Sequence, residues 1–364
     1  MSIVETSLSN AVQNVTLTQE PEAQGLTLQD FYAYMPTHQY IAAHSAALWP
    51  RVSVNSQVPP LTDTGGNAVP ATDWLDRHRP IEALVWVPGE PQVIHGRLML
   101  ESGWIEARNS ACFNLYRSPA IPAGDPDQAG PWIDHVRKLY PDEADHLMRW
   151  FAYKIQFPGE KVNHAVVLGG RQGVGKDVLL EPVKRAVGEG NVAGIAPKDV
   201  IDKFNGFVQS VLLVINEATD LGELDGKTFY EASKTLIAAP PHVIQCNVKF
   251  RPHRNVQNVC GVVITTNHKT DGIYLHPDDR RHFVAWSPVE RSDFAADHFL
   301  NLHRWYESGG YGHVAAFLRA MDLSDFDAKA PPPKTAAFWE IVQSDQAPED
   351  AELADSIAWG GPRR

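Results

Sequence analysis

The nine residues Gly169–Asp177, which read GGRQGVGKD, decide the fold of this 364-residue chain. The apolar run 165–168 precedes them, and a helical run, Val178 to Val187, follows them. This is the spacing of a phosphate-binding loop: glycines let consecutive N–H groups turn toward phosphate oxygens, and a lysine at the helix start reaches the outer phosphates. The predicted nucleotide-binding residues are Gly170, Gly173, Val174, Gly175, Lys176, Asp177 and Val178. The alternative is a glycine-rich strand-to-helix turn that binds nothing.

The loop departs from the usual pattern at its last position. Asp177 stands where a Ser or Thr hydroxyl usually binds magnesium, and a carboxylate beside a triphosphate is repulsive unless a cation lies between them. The apolar run Val211 to Ile215 ends in Asn216-Glu217. We expect Glu217 to orient or deprotonate an attacking water, and Asn216 to stand where an Asp often joins the metal shell. We hypothesise that the loop has gained a carboxylate and this strand has lost one, so that Asp177, Asn216 and Glu217 serve one magnesium ion. A merely polar strand end is the alternative.

A third apolar run completes the predicted core. Gly261 to Thr266 is followed by Asn267, and helical stretches separate it from the runs at 165–168 and 211–215. Short buried strands that alternate with helices predict an α/β fold with a parallel sheet covered on both faces. The carboxyl ends of parallel strands meet at the ligand crevice, so Asn267 could hold the attacking water or the terminal phosphate. It could equally cap the next turn.

Composition and periodicity divide the rest of the chain into segments. Trp, Tyr and Pro with short alternating runs favour short strands before residue 123, and a three- and four-residue period from Trp132 to Ile155 predicts two amphipathic helices. The predicted segments are a flexible arm (1–26), a mixed α+β domain with a collar or docking role (27–123), a small helical segment (131–160), the α/β core (161–320) and an acidic, Pro-rich tail (321–364).

Charge and cysteine content limit the classes of protein to which this chain can belong. The chain has 44 acidic and 32 basic residues, a formal net charge of −12, which argues against a nucleic-acid partner unless the charge is unevenly distributed. Residues 1–30 contain four acids and no bases, and residues 320–364 contain nine acids and four bases, so most of the acidity lies near the ends. Three widely spaced cysteines indicate a reducing, cytoplasmic location. The first thirty residues lack Lys and Arg, and no long apolar run occurs, so we expect neither a targeting segment nor a membrane span.

Four motifs in order resemble those of a known family. GGRQGVGKD, VINEA, ITTN and DDRRHFV look like the superfamily 3 helicases, specifically the helicase domain of phage and plasmid primase-helicase proteins, over about Trp132 to Pro288. The resemblance implies a P-loop AAA+ ATPase core that hydrolyses ATP with Mg²⁺ and assembles as a hexameric ring on single-stranded DNA. It also implies a hydrolase of phage or mobile-element DNA replication in a bacterial host cytoplasm, with other replication proteins as further candidate partners.

The same resemblance gives a role to two arginines. By analogy Arg280 or Arg281 would be the arginine finger, whose guanidinium charge stabilises phosphoryl transfer on the nucleotide of a neighbouring subunit. With Asn267 and Glu217 they complete the predicted catalytic set. An ordinary surface ion pair with Asp278 or Asp279 is the alternative.

A basic hairpin is the predicted DNA-binding element. Between Ala232 and Thr270 there are five basic residues and no acidic one, and alternation in Val243 to Phe250 and Asn255 to Val259 predicts two strands joined by a Pro-His-Arg turn. The predicted DNA-binding residues are Lys249, Phe250, Arg251 and Arg254. Basic grooves and stacking aromatics bind single strands with little sequence preference. The alternative is an exposed hairpin whose charges aid solubility.

Three functions are compatible with these motifs. The leading one is a DNA-stimulated ATPase motor. The second is a non-unwinding AAA+ loader or remodeller of a replication protein, which would use the same ATP site. The third is a small-molecule kinase with a phosphate loop, which needs neither an arginine from a neighbouring subunit nor a basic hairpin.

Overall fold

The structure, a computed structural model, describes residues 25–216, 226–249, 254–269 and 273–344. The chain divides between Ile81 and Glu82 into two compact units. The strand Pro80–Ile81 joins a sheet of the first unit, and Ala83–Val85 joins a sheet of the second. The predicted N-terminal domain, by contrast, extended to residue 123. The predicted arm lies almost wholly outside the described residues.

The described part of the first unit contains two small sheets and two α-helices. Its elements are β1 (Phe31–Tyr34), β2 (Gln39–Ala42), β3 (Leu48–Trp49), α1 (Arg51–Gln57), β4 (Leu61–Thr62), β5 (Ala68–Val69), α2 (Ala71–His78) and β6 (Pro80–Ile81). The larger sheet has the order β3–β2–β1–β6, in which β6 runs parallel to β1 and the other pairs are antiparallel. Phe31, Tyr40, Val54 and Leu75 are fully buried between this sheet and the helices. The short strands expected in this region are therefore present.

The second unit contains the remaining elements. They are β7 (Ala83–Val85), β8 (Val93–Leu100), β9 (Gly103–Asn114), α3 (Gly130–Leu139), α4 (Ala144–Gln156), β10 (Ala165–Gly169), α5 (Lys176–Val187), β11 (Val192–Ile195), β12 (Leu212–Ile215), α6 (Gly226–Ile237), β13 (Val243–Cys246), β14 (Arg254–Gln257), β15 (Gly261–Thr266), β16 (His282–Trp286), α7 (His298–Trp305), α8 (Tyr311–Ala320) and α9 (Ala336–Ser344). A three-stranded sheet of order β7–β9–β8 comes before the helices.

A five-stranded parallel sheet forms the centre of the second unit. Its order is β11–β12–β15–β10–β16, and every residue of β10, β12 and β15 is buried. Strands covered on both faces read as continuous apolar runs, which is why the sequence pattern identified these three. Gly169 at the end of β10 lies opposite Thr266 of β15 and Trp286 of β16. The predicted α/β fold with a parallel sheet is confirmed.

The two amphipathic helices expected before the sheet are also confirmed. On α3, Trp132, Val136 and Leu139 are fully buried, as the three- and four-residue spacing requires for one helix face. On α4, Leu147 and Trp150 are buried in the same core. Among the described residues, no helix is both long and apolar enough to cross a membrane.

The segment predicted as an acidic tail differs from that expectation. Through Ser344 it packs on the core: Ala328 and Phe338 are buried, and the Thr335 hydroxyl donates to Val284 O at 2.7 Å. A few apolar side chains anchor a segment whose average composition is polar. Residues 345–364 lie outside the described part of the chain.

Candidate functional site

The predicted phosphate loop connects the carboxyl end of β10 to the start of α5. Gly170, Gly173 and Gly175 have φ angles of +147°, +78° and +99°, which L side chains rarely adopt. A Cβ at Gly175 would lie 2.5 Å from Phe299 Cε1 and 2.9 Å from His135 Nε2, so glycine is required there for space as well. A Cβ at Gly173 would meet no described atom within 4 Å. The loop is therefore closely packed at its helix end and open at Gly173.

Lys176 joins the loop to the neighbouring strand. Its side chain is mostly buried, and Nζ donates to Gly170 O at 2.6 Å, to Arg171 O at 3.1 Å and to Asn267 Oδ1 at 2.7 Å. Asn267 follows β15, which is adjacent to β10 in the sheet. The structure thus brings together two residues that the sequence predicted for one site, although they are far apart along the chain.

The other predicted loop residues differ in what they expose. The Val174 side chain is fully buried and Val178 packs partly against the core, so their backbone groups are what an anion could contact. Asp177 is exposed in the first turn of α5. A carboxylate in the first turn interacts favourably with the positive end of the helix.

Asn216 lies at the same edge of the sheet as the loop. It follows β12, which is separated from β10 only by β15, and its N–H donates to Ile195 O at 2.9 Å. Neighbouring strands are about 4.8 Å apart, which puts the ends of β12 and β10 about 10 Å from each other. Glu217, the next residue, lies outside the described residues. Within the described ranges, no group of three or more His, Cys, Asp or Glu is arranged to hold a metal ion.

Arg280 and Arg281 lie at the opposite edge of the sheet. They precede β16, which is parallel to β10, so they are at the amino ends of the strands and the predicted phosphate loop is at the carboxyl ends. Neither forms an ion pair within the described part of the chain, which does not support the surface ion pair expected as their alternative role. Arg281 Nε is buried without a hydrogen-bond partner there.

The Asp279 carboxylate accepts hydrogen bonds from groups other than the two guanidinium groups. Its carboxylate accepts from Arg281 N at 2.8 Å, His282 N at 2.9 Å and the Tyr230 hydroxyl at 2.9 Å. Although burial opposes ionisation, the interactions with His282, the Arg281 N–H and Tyr230 hold the pKa of Asp279 well below its usual range. Asp279 therefore fixes the backbone at the start of β16, and among the described residues it forms no ion pair with either guanidinium group.

The predicted hairpin is present as β13 and β14. The strands are antiparallel, with Cys246 opposite Arg254, and Lys249 is exposed in the connection between them. Phe250 and Arg251 lie outside the described residues. Of the four predicted DNA-binding residues, the structure therefore locates Lys249 and Arg254.

His135 was not identified from the sequence as part of the site. On α3, its Nε2 is 3.1 Å from Gly175 O and its Nδ1 is 3.2 Å from His298 Nε2. Because a carbonyl oxygen only accepts, Nε2 carries the proton, and Nδ1 accepts from His298. Burial lowers the pKa of His135 to about 4, so it is neutral at pH 7. A histidine on the apolar face of a predicted helix, beside Trp132 and Val136, was the available signal.

Two further side chains, from α3 and from the residue that follows it, donate hydrogen bonds to β10 and α5. The Tyr140 hydroxyl donates to Gly169 O at 3.2 Å, and Trp132 Nε1 donates to Leu179 O at 3.0 Å. Burial raises the pKa of Tyr140 far above its usual value, so the phenol remains a donor. Helix α3 and the residue that follows it therefore fix both the start of the loop and the helix that follows it.

Comparison with known proteins supports this fold. A family of unknown function, DUF5906, matches residues 168–281. No curated protein matches the chain. The apo structure of the NrS-1 C-terminal region is similar, with a TM-score of 0.62 and 15% identity over 89% of this chain and 74% of that one. An A-form apo structure of the same region gives 0.63. A JCV helicase structure gives only 0.34, with 15% identity over 62% of this chain and 60% of the helicase. The chain thus shares a mixed α/β fold with the NrS-1 C-terminal region.

Proposed function

We propose that this chain is an ATP-dependent DNA helicase or translocase of phage or mobile-element replication, with an AAA+ core of the superfamily 3 type. The observation that carries the proposal is the hydrogen bond between Lys176 of the phosphate loop and Asn267 at the end of the adjacent strand. It brings a cation for the outer phosphates and an amide for the water or terminal phosphate to one point, as ATP hydrolysis requires.

The loop fits a nucleoside triphosphate. Three glycines with positive φ allow N–H groups to turn inward, and the open space at Gly173 leaves room for phosphate oxygens. The start of α5 adds the positive end of a helix. Binding of ATP here would use backbone N–H groups of Gly173 to Asp177 and the Lys176 ammonium.

The residues around the loop also fit Mg²⁺. Magnesium prefers oxygen ligands, and the exposed carboxylate of Asp177 and the amide of Asn216 are at the same edge of the sheet. Together with Glu217, they would hold Mg²⁺, which would neutralise charge on the phosphates. Glu217 would orient the attacking water, and Asn267 would hold its position relative to the terminal phosphate.

The arginines support catalysis between copies. A strand rises about 3.3 Å per residue, so the five residues of β10 separate Arg281 from its own phosphate loop by about 16 Å. An arginine finger at that edge can therefore serve only the nucleotide of a second copy. This supports self-association in a ring, which the motif resemblance extends to a hexamer.

The hairpin supports DNA as the partner. Lys249 is exposed in the connection between β13 and β14, inside a stretch of the sequence without acidic residues. Lys249, Phe250, Arg251 and Arg254 would contact the backbone and bases of a single strand in the ring channel. A motor of this kind would act in the cytoplasm of a bacterial host.

One experiment separates this function from that of a loader. ATP hydrolysis is measured with and without single-stranded DNA, and strand displacement is measured on a forked duplex, with Lys176→Ala as the control. A helicase shows stimulated hydrolysis and displacement that both disappear in the variant. ATP-dependent binding to another replication protein, without displacement, would favour a non-unwinding loader or remodeller. The absence of ATP hydrolysis under every condition would overturn both functions.

A further inference from the structure

A cationic pocket lies at the amino-terminal edge of the parallel sheet. It has a volume of about 390 Å³ and is lined by Asn163, the 238–240 turn, Arg280, Arg281, Lys329 and Pro331. Two of its cations were predicted from the sequence. The third, Lys329, belongs to the segment that composition assigned to a tail.

The described residues that line the pocket include three cations and no carboxylate. Among the described residues, Arg280, Arg281 and Lys329 form no ion pair, and Arg281 Nε has no hydrogen-bond partner although it is buried. The nearby carboxylate of Asp279 accepts from backbone N–H groups, His282 and Tyr230. Arg280 and Lys329 are exposed and Arg281 is partly buried, so all three cations can contact an anion that enters the cavity, and the pocket is suited to a polyphosphate.

Backbone hydrogen bonds fix the position of Lys329 relative to the arginines. Asn163 N donates to Ala328 O at 2.8 Å, and Asn163 Oδ1 accepts from Ala239 N at 3.0 Å. Ala165 N donates to Arg281 O at 2.8 Å, which ties the same segment to the start of β16. The pocket is thus built from four chain segments that are joined by direct hydrogen bonds.

We propose that the pocket binds the phosphates of ATP held by the phosphate loop of a second copy. Lys329 then joins Arg280 and Arg281 as a third cation that acts in trans on this ATP. This inference rests on the proposed function, because it requires that ATP be hydrolysed between copies. Lys329 would contribute a point charge to the phosphates while the arginines contribute planar, bidentate donors. It acts on the neighbouring site and not on its own, since the pocket is at the edge of the sheet opposite its own loop.

The test compares three variants with the wild type. Lys329→Gln removes the charge, Lys329→Arg retains it, and Lys198→Gln makes the same change at an exposed lysine outside the pocket. We expect Lys329→Gln to lower kcat for ATP by about 10- to 100-fold with little change in KM, because the charge stabilises the transition state in the neighbouring site. Lys329→Arg should retain most of the activity, and Lys198→Gln should equal the wild type.

A mixing experiment tests whether Lys329 acts between copies. Lys329→Gln chains are mixed with Lys176→Ala chains, and hydrolysis is compared with that of each variant alone. Recovery of activity is expected, because the intact loop of one chain then meets the intact Lys329 of the other. No recovery would mean that Lys329 acts within its own chain, and would overturn the inference.

Two further outcomes distinguish a failure of this inference from a failure of the proposed function. If wild-type chains hydrolyse ATP and Lys329→Gln chains do so equally, the inference fails while the proposed function stands; if wild-type chains hydrolyse no ATP, the proposed function itself fails. Binding of inorganic tripolyphosphate is also measured on Lys176→Ala chains and on Lys176→Ala/Lys329→Gln chains. If only the first variant binds it, and if mixing Lys329→Gln with Lys176→Ala chains restores no ATP hydrolysis, the pocket takes a free polyphosphate. This result would overturn the trans assignment.

Discussion

The Nζ atom of Lys176 donates a 2.7 Å hydrogen bond to the Oδ1 atom of Asn267, although 91 positions separate the two residues along the chain. The bond exists because β10 and β15 are adjacent and parallel, so that the loop after one and the residue after the other meet. It accounts for how an amide at a strand end reaches the predicted phosphate loop.

The contact between Lys176 and Asn267 predicts different effects for two substitutions of Asn267. Asn267→Ala should lower kcat by roughly 100-fold with ATP affinity nearly unchanged, because the water or terminal phosphate loses its support. Asn267→Asp should instead weaken ATP binding, because a carboxylate would pair with the Lys176 ammonium and repel the triphosphate. Steady-state hydrolysis and a fluorescent-nucleotide titration measure the two effects. Equal losses of affinity in both variants would contradict this role.

Asp177→Ser tests the predicted exchange of metal ligands. If Asp177 supplies the carboxylate that Asn216 lacks, the variant should require a higher Mg²⁺ concentration for half-maximal ATP hydrolysis. Asp177→Ser/Asn216→Asp should restore the wild-type requirement, because the charge is returned at the other position. An unchanged magnesium dependence in the single variant would contradict the exchange.

The glycines of the loop should differ in their effect on stability. Gly175→Ala combines a φ of +99° with close approach to His135, and we expect it to lower the free energy of unfolding by about 3 kcal/mol. Gly173→Ala has the φ penalty alone and should cost about 1 kcal/mol. Urea denaturation measures both, and a larger loss at Gly173 would contradict the described packing.

His135 should make stability depend on pH. Its folded-state pKa of about 4 is below the ordinary value of 6.5, so the unfolded chain binds a proton that the folded chain does not. The free energy of unfolding should therefore fall as pH falls from 6.5 toward 4, with a slope of about 1.4 kcal/mol per pH unit from this residue. His135→Gln retains an N–H donor for Gly175 O but cannot titrate, and it should reduce the slope by that amount. Parallel pH profiles would contradict the assignment.

Lys249→Ala tests the hairpin. We expect weaker binding of single-stranded DNA and a log–log salt dependence reduced by about 0.7, the value for one lost phosphate contact on a single strand. ATP hydrolysis without DNA should be unchanged, whereas its stimulation by DNA should fall. Lys198→Ala, with the same charge loss outside the hairpin, is the control. Wild-type affinity of Lys249→Ala at matched salt would contradict the proposed role of the hairpin in DNA binding.

Within the parallel sheet, the sequence predicted the three strands whose burial is complete. Ala165–Gly169, Leu212–Ile215 and Gly261–Thr266 are apolar runs because helices cover both faces of the sheet. Val192–Ile195 was missed because this edge strand is only partly buried and contains Ala and Gly. His282–Trp286 was missed as a strand because it begins with a histidine, a polar residue that is buried here with its Nδ1 3.1 Å from the Asp279 carboxylate.

Long-range contacts limited the prediction of the site. The loop, Asn216 and Asn267 could be predicted because apolar runs mark three strands, and the carboxyl ends of parallel strands meet at one edge of the sheet. The contact between His135 and Gly175 and the place of Lys329 beside Arg281 depend on how helices and loops pack on the sheet, which periodicity does not specify. The acidic composition after residue 321 favoured a tail, whereas the buried side chains of Ala328 and Phe338 hold that segment on the core.

Hydrolysis of ATP by mixed variants tests the central claim most directly. Lys176→Ala chains, with an intact trans edge (the edge of the sheet that carries Arg280 and Arg281), are mixed in equal amounts with Arg280→Ala/Arg281→Ala chains, which have an intact loop. Each variant alone should be inactive. The mixture should recover up to about a quarter of the wild-type rate, since random assembly in a ring pairs an intact loop with an intact trans edge at that frequency. A mixture no more active than its separate components would contradict ATP hydrolysis at sites shared between copies.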